Sequence, residues 1–333
     1  MITGIRKARQ PTREVWSRER LVHERAIALG NALDRSTLSN YSSALNSYLN
    51  FVKLHDLPVE PTPETLSFYT VYMCHHVNPR SVNTYLSGIS QQLEAHFPTV
   101  KVTRNSTIVR RTLQGCMRMR GTATVRKRAL TVDDLQLVVN HYNDTSTHDD
   151  LLFVSMLLTG FFGLLRLGEL VFPDEAALQN WKKVTRRHTV HIQEDFYEFL
   201  LPGHKADRFF EGNKIMIPAL RFNLSPLRHF TRYLDSRDTI HPVASPLWLT
   251  QAGLVPTRSF FITRLHLFFK RDVAGHSMRA GGATSLAEQG VSPAIIQASG
   301  RWASDAFLVY IRKNPTLLQG FLHTVSTPSS VPV

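Results

Sequence analysis

The chain reads as a mainly α-helical protein of two domains, with a small antiparallel β-sheet lodged among the helices of the second. Three observations predict this. Apolar residues recur at helical spacing through most of residues 21–97 and again after residue 130. The texture changes between residues 187 and 218, where short runs of β-branched and aromatic residues are separated by turns at Gly203 and Gly212. Between the two helical blocks, residues 121–127 are polar, basic and free of periodicity, as a linker would be. A chain of 333 residues is long enough for two cores, and 43% hydrophobic with 20% charged residues is ordinary for folded domains.

The elements follow in order. Residues 1–33 are expected to form an N-terminal helical arm, with Leu21, Val22, Ala26, Ile27 and Leu29 at helical spacing. A second helix from about Ser36 carries Leu38, Tyr41, Leu45, Tyr48, Leu49 and Val52 on one face. Pro58, Pro61 and Pro63 mark a turn, and Thr62 or Thr65 can cap the helix that holds Leu66, Tyr69 and Tyr72. Residues 79–97 repeat the pattern with Val82, Tyr85, Leu86, Ile89 and Leu93. The block 34–120 is therefore expected as one helical domain, 121–129 as the linker, 130–325 as the second domain, and 326–333 as a loose tail.

In the second domain, Thr131 suits an N-cap, with Asp133 and Asp134 in the first turn. The apolar run 151–165 is too short and too rich in Thr and Gly to span a bilayer, so it is expected as a buried helix ending near Arg166. Strands are expected at 187–193, 196–202 and 214–218. Helices follow at 224–234, 259–271, 278–289, 293–299 and 305–313, with Ser292-Pro293 and Ser304-Asp305 as helix starts.

Charge points to a polyanionic partner. The net charge is +13 and the pI about 10.0. Residues 1–130 carry 19 Lys/Arg against 8 Asp/Glu, while the remainder carries 20 against 18. Between Lys101 and Arg128 stand nine basic residues and no acidic one. Ile108, Val109, Leu113 and Met117 interleave with Arg110, Arg111, Arg118 and Arg120, as on an amphipathic helix rather than a tail. With Arg104, Arg126, Lys127 and Arg128, these arginines are the candidate contacts to a nucleic-acid phosphate backbone. The helix near 79–97 is the candidate for the major groove. Cys74 and Cys116 are the only cysteines and make no disulfide framework. Met1-Ile2-Thr3-Gly4-Ile5-Arg6-Lys7 lacks the apolar centre of a signal peptide, and no membrane partner is expected.

The chemistry is concentrated in Gly275-His276-Ser277-Met278-Arg279, Gly300-Arg301-Trp302 and Tyr310, with Arg166 upstream. Breaking a phosphodiester through a tyrosine needs a proton for the leaving oxygen, neutralised charge on the phosphorane, and a phenol that loses its proton. A phenol with a pKa of about 10 must be activated by neighbouring cations or a base. Two arginines suit the phosphorane because each offers a fixed fork of donors. A histidine can share a proton, and a lysine on a turn can deliver one. No metal and no cofactor is required. Each residue taken singly has a plainer reading: Arg166 as a helix C-cap, His276 as a capping histidine, Trp302 and Tyr310 as packing. The joint order outweighs these. His188-Thr189-Val190-His191 and His75-His76 do not make a zinc site, since on a strand His188 and His191 point to opposite faces and no Cys or carboxylate completes a set. There is no phosphate-binding Gly-rich loop and no nucleophile elbow.

In these motifs the chain resembles the tyrosine recombinase/integrase family. Gly163-Leu164-Leu165-Arg166-Leu167-Gly168-Glu169-Leu170 is similar to its first-arginine motif, and His276-Ser277-Met278-Arg279 to its His-x-x-Arg. Trp302 falls where the family places a His or Trp, Tyr310 where it places the nucleophile, and Lys205 in the sheet turn that keeps its lysine. The run from Arg301 to Arg312 is similar to recombinases of eukaryotic Crypton and DIRS elements. The resemblance covers 125–325 well and 34–120 more loosely.

It implies a two-domain C-shaped clamp, a helical core-binding domain and a catalytic domain closing on duplex DNA. It implies attack by Tyr310 to give a 3′-phosphotyrosyl bond, Arg166 and Arg279 on the non-bridging oxygens, His276 assisting proton movement, Lys205 as general acid, Trp302 beside the phosphate and Glu169 orienting Arg166. It also implies a homotetramer on two DNA sites, without ATP, and an origin in a mobile element. Leu317, Leu318, Phe321 and Leu322 would dock on a neighbour or on their own core. A nuclear location is implied if the host is eukaryotic, with Arg126-Lys127-Arg128 as the basic run, and a cytoplasmic one otherwise. Three alternatives stand beside it: a catalytically silent, domesticated DNA-binding protein, a type IB topoisomerase, and, ranked below these, a basic scaffold for RNA or membrane.

Overall fold

The computed structural model describes residues 13–30, 32–123, 125–142, 146–203, 212–219, 224–302, 304, 307 and 308. The chain divides into two compact units, Met1–Thr124 and Val125–Val333.

In the first unit, α1 (Arg18–Gly30) buries none of its side chains. Leu21, Val22, Ile27 and Leu29 are exposed, so the expected apolar face of the arm meets no surface among the described residues. α2 (Arg35–Leu54) starts at Asp34, whose carboxylate accepts from the Ser36 N–H at 3.2 Å. α3 (Pro63–His76) begins with a reciprocal box in which the Thr62 hydroxyl takes the Thr65 N–H and the Thr65 hydroxyl takes the Thr62 N–H. Asn78 and Pro79 do the same work for α4 (Pro79–Leu93). Tyr48, Phe51, Leu66, Tyr69, Val82, Leu86 and Ile89 fill the core between these helices. α2 and α4 approach closely at Gly88, where a Cβ would stand 2.9 Å from the Tyr41 ring and 3.0 Å from the Ala44 methyl. The basic stretch is not one helix. α5 (Val100–Arg104) and α6 (Thr107–Arg120) are separated at Asn105-Ser106, and only Val100, Val109 and Cys116 of the two are buried.

The second unit opens with α7 (Val132–His141), capped by the Thr131–Asp134 box, and α8 (His148–Phe162), capped by the Thr147–Asp150 box. α8 is buried at every position from Leu152 to Phe161. It stops at Phe162, four residues short of Arg166, because Leu164 turns the chain at φ +49.

The sheet is antiparallel in the order β1-β2-β3: β1 (His191–Ile192), β2 (Phe196–Leu201) and β3 (Asn213–Pro218). Tyr197 pairs with Ile217 and Phe199 with Ile215, all four buried, which fixes the register by alternation. The strand expected at 187–193 is reduced to its last two paired residues. Arg187–Thr189 form a 3-10 turn instead, held by the Arg187 N–H on the Ser245 carbonyl and by the Arg187 guanidinium on Asp238 at 2.7 Å. His188 is therefore on a turn, and the strand-face argument about His188 and His191 does not apply.

α9 (Pro226–Ile240), α10 (Arg258–Phe268), α11 (His276–Glu288) and α12 (Pro293–Gly300) complete the unit. α8 sits at its centre, covered by β3, α9 and α11. α11 lies nearly in backbone contact with its neighbours: a Cβ on Gly281 would be 2.1 Å from the Leu130 carbonyl oxygen, and one on Gly282 2.1 Å from that of Phe161. That close approach sets where α11 delivers its side chains. Among the described residues, no helix is long and apolar enough to cross a membrane.

Candidate active site

The site is built from three turns: the exit of α8, the start of α11 and the end of α12. At the first, Leu164 adopts a left-handed backbone that L-residues seldom take. Its side chain is fully buried against Ala283, Ile296 and Phe307, which offsets the strain. The turn leads into a single 3-10 turn, Leu167–Glu169. Glu169 closes it by accepting the Arg166 N–H on Oε2 and the Arg166 guanidinium on Oε1, both at 2.9 Å. Arg166 keeps about a quarter of its side chain exposed (27%), while Glu169 is buried.

α11 starts against this turn. A Cβ on Gly275 would strike the Leu167 side chain at 2.5 Å, and the Ser277 hydroxyl accepts the Ala274 N–H at 3.0 Å. His276 is the first residue of the helix and is exposed. Three residues on, Arg279 is 1% exposed. Its guanidinium donates to the carbonyls of Leu164 and Gly300, and its Cζ lies 4.1 Å from the centre of the Trp302 ring. The charge is thus satisfied by two carbonyl oxygens and an aromatic face.

The third turn brings Trp302 and one residue that the sequence reading passed over. α12 ends at Gly300, and the left-handed residue that follows is Arg301, at φ +55. Its Nη2 lies 3.3 Å from both the Leu164 carbonyl oxygen and Glu169 Oε2. Burial pushes the Arg301 guanidinium pKa down; the Glu169 charge opposes this and Arg166 adds to it. Trp302 folds back over Gly300, where a Cβ would fall 1.6 Å from its ring, and packs on Phe307 at 5.8 Å. Arg166, Glu169, Arg279 and Trp302, separated by as much as 136 positions, are thereby linked through shared partners, with His276 at the head of the helix that carries Arg279. Tyr310 and Lys205 lie outside the described residues. Lys214, the nearest described lysine in sequence to that turn, is bonded to Glu198 at 2.7 Å.

The basic candidates divide into two sets. Arg110, Arg111, Arg118 and Arg120 are exposed on α6, and Arg126 is exposed beyond it. Others are engaged within their own unit. Arg104 braces α5 on α4 through Asn83 at 3.1 Å and Ser87 at 3.0 Å. Lys127 donates to the Arg271 carbonyl. Arg128 is held by Asp134 at 2.5 Å and Asp272 at 3.5 Å, with the Asp134 bond first among the causes that raise its pKa. For Arg104, Lys127 and Arg128, bracing competes with the expected backbone contacts. Among the described residues, no group of three or more His, Cys, Asp or Glu side chains gathers as a metal would need.

No protein-family profile matches the chain. A curated relative, the integrase/recombinase xerD homolog of Selenomonas ruminantium, is 23% identical over 318 residues, covering 87% of this chain and 85% of the relative. Two solved structures share the fold. XerH site-specific recombinase, bound to its palindromic difH substrate after cleavage, superposes with a TM-score of 0.60 at 15% identity, over 87% of this chain and 80% of that one. A lambda integrase fragment, bound as a dimer to a COC′ core site, gives 0.56 at 15% identity, over 94% and 98%. Matched along most of both chains by that relative and sharing the fold of these two structures, the chain is similar to the tyrosine recombinase/integrase family.

Proposed function

We propose that this chain is a site-specific DNA recombinase that cuts and rejoins duplex DNA through a covalent tyrosyl intermediate. The observation that carries the reading is the gathering of Arg166 and Arg279 about the Leu164–Glu169 turn, beside Trp302 and at the start of the helix headed by His276. Fixed guanidinium groups in a partly dry setting are what a phosphorane needs, because they require little reorganisation as charge develops. The phenol oxygen of Tyr310 attacks the scissile phosphorus and its bond to the 5′ oxygen breaks. The proton the leaving oxygen needs comes from Lys205, and His276 assists proton movement. The 3′-phosphotyrosyl bond keeps the energy of the broken one, so attack by a 5′-hydroxyl rejoins the strand without ATP.

One tyrosine makes one cut. Exchanging all four strands of two duplexes therefore calls for four protomers on two sites. Arg110, Arg111, Arg118 and Arg120 supply the backbone contacts from the first unit. The run 301–312 supports an origin in a mobile element of Crypton or DIRS type. Arg126-Lys127-Arg128 supports a nuclear location in a eukaryotic host.

The test is selection of bound duplex from a random pool, followed by assay of a plasmid carrying two copies of the selected sequence. Deletion or inversion between the copies supports a recombinase. Relaxation of plasmid without the sequence would favour a type IB topoisomerase, and binding without strand breakage a silent DNA-binding descendant.

A further inference from the structure

We infer that Arg301 is a positioning residue of this site: bridging the Glu169 carboxylate and the Leu164 carbonyl, it fixes the two arginines that would hold the phosphate. The inference rests on the recombinase reading and adds a residue to it. Arg301 Nη2 stands 3.3 Å from Glu169 Oε2, on the carboxylate whose other oxygen takes the Arg166 guanidinium. The same nitrogen stands 3.3 Å from the Leu164 carbonyl oxygen, which also receives Arg279. One guanidinium therefore touches the fixed partner of each of the other two.

The backbone is strained at both ends of this contact. Leu164 and Arg301 are two of the three described non-glycine residues at positive φ. Such strain persists only where surrounding structure holds it, and it clusters at functional sites. Packing alone does not account for the residue. The Arg301 side chain is 9% exposed, and its Nε is buried with no hydrogen-bond partner. A leucine or methionine would fill the space without a buried cation or a stranded donor. Among the described residues, two guanidinium groups share the Glu169 carboxylate, leaving positive charge in excess that an entering phosphodiester would balance.

Removing the bridge frees Glu169 to turn wholly to Arg166 and leaves the Leu164 carbonyl to Arg279. Both arginines keep their charge, but their forks are no longer fixed. Full-length Arg301→Met is therefore expected to retain DNA affinity within about threefold, yet to slow single-turnover adduct formation at saturating DNA by about 30-fold or more. Arg301→Lys, a point charge that cannot span both acceptors, should recover only part of that rate. In a cycle with Glu169→Gln, the double variant should be no more than about threefold slower than the worse single one, since both act through one contact.

Arg301→Met cleaving within about threefold of wild type, or rate losses that multiply in the cycle, would overturn the inference. Should Arg301→Met fail to fold, Arg301→Lys takes its place in the same cycle. A wild-type protein that binds DNA but forms no adduct sinks the recombinase reading itself, a separate result.

Discussion

The Leu164 carbonyl receives the Arg279 guanidinium across 115 positions of sequence, from a residue held in a left-handed turn to one buried in the first turn of α11. The contact makes the exit of α8 and the start of α11 one rigid piece. Arg166, two residues after Leu164, inherits its position from that piece. Precision at this site therefore depends on how tightly α11 lies on α8.

Gly281→Ala and Gly282→Ala test that dependence. Each added Cβ meets a backbone oxygen at 2.1 Å, which no side-chain rotation relieves. Each should cost about 3 kcal/mol by overpacking and lower Tm, as measured by thermal unfolding. Gly115→Ala, with nothing within 4 Å, should leave Tm unchanged or raise it slightly.

Trp302 covers the Arg279 charge with a ring face at 4.1 Å. Trp302→Leu should cost about 1–3 kcal/mol, from the lost cation–π contact and a partial cavity, with Trp302→Phe about midway. Chemical denaturation of the three proteins provides the comparison. Equal stability of Leu and Phe variants would show that the ring face contributes nothing.

Arg111 and Arg118, seven positions apart on α6, are exposed and share a face. Replacing both by Gln should reduce the slope of log affinity against log salt by about 2, uniformly across DNA sequences. Arg104→Gln should behave differently. Its bonds to Asn83 and Ser87 brace α5 on α4, so the variant should lose stability and change the salt slope little.

Asp238 is expected to contribute acid sensitivity to the second unit. Partial burial by itself raises its pKa, but bonds from Arg187 and Arg237 outweigh this and hold the carboxyl below the usual carboxylate range. A folded pKa below the unfolded one gives stability that is present above about pH 4 and lost as pH falls through the folded value. Asp238→Asn should therefore lower Tm at neutral pH and flatten its decline from about pH 5 to about pH 2. An unchanged slope would show that the carboxylate contributes nothing to acid unfolding.

Much of this fold was legible because local and tertiary signals agree. Thr62 and Thr131 are legible as cap candidates for α3 and α7, and each caps its helix through a reciprocal box with Thr65 or Asp134. The run 151–165 stands out as a buried helix because nearly every residue in it is apolar. Agreement was lost where long-range partners decide. Ser245 and Asp238 turn Arg187–Thr189 into a 3-10 segment, and neither is near in sequence. α1 has helical periodicity without a face to bury, which periodicity alone does not reveal. Arg301 escaped for a local reason. Glycine commonly takes the left-handed position after a helix, but here that conformation falls on Arg301, one residue after Gly300. It turns Arg301 toward Glu169 and leaves Trp302 over Arg279, and no property of the tripeptide separates those two outcomes.

The central claim is that a tyrosine of this chain becomes joined to DNA. The direct measurement is denaturing electrophoresis of full-length protein incubated with a nicked duplex of the selected sequence, followed by peptide mapping of the adduct. An SDS-resistant species carrying a 3′-phosphate on Tyr310, absent from Tyr310→Phe and present without ATP, is the predicted result. Wild type and Tyr310→Phe giving equal adduct, or attachment at a different residue, would contradict it.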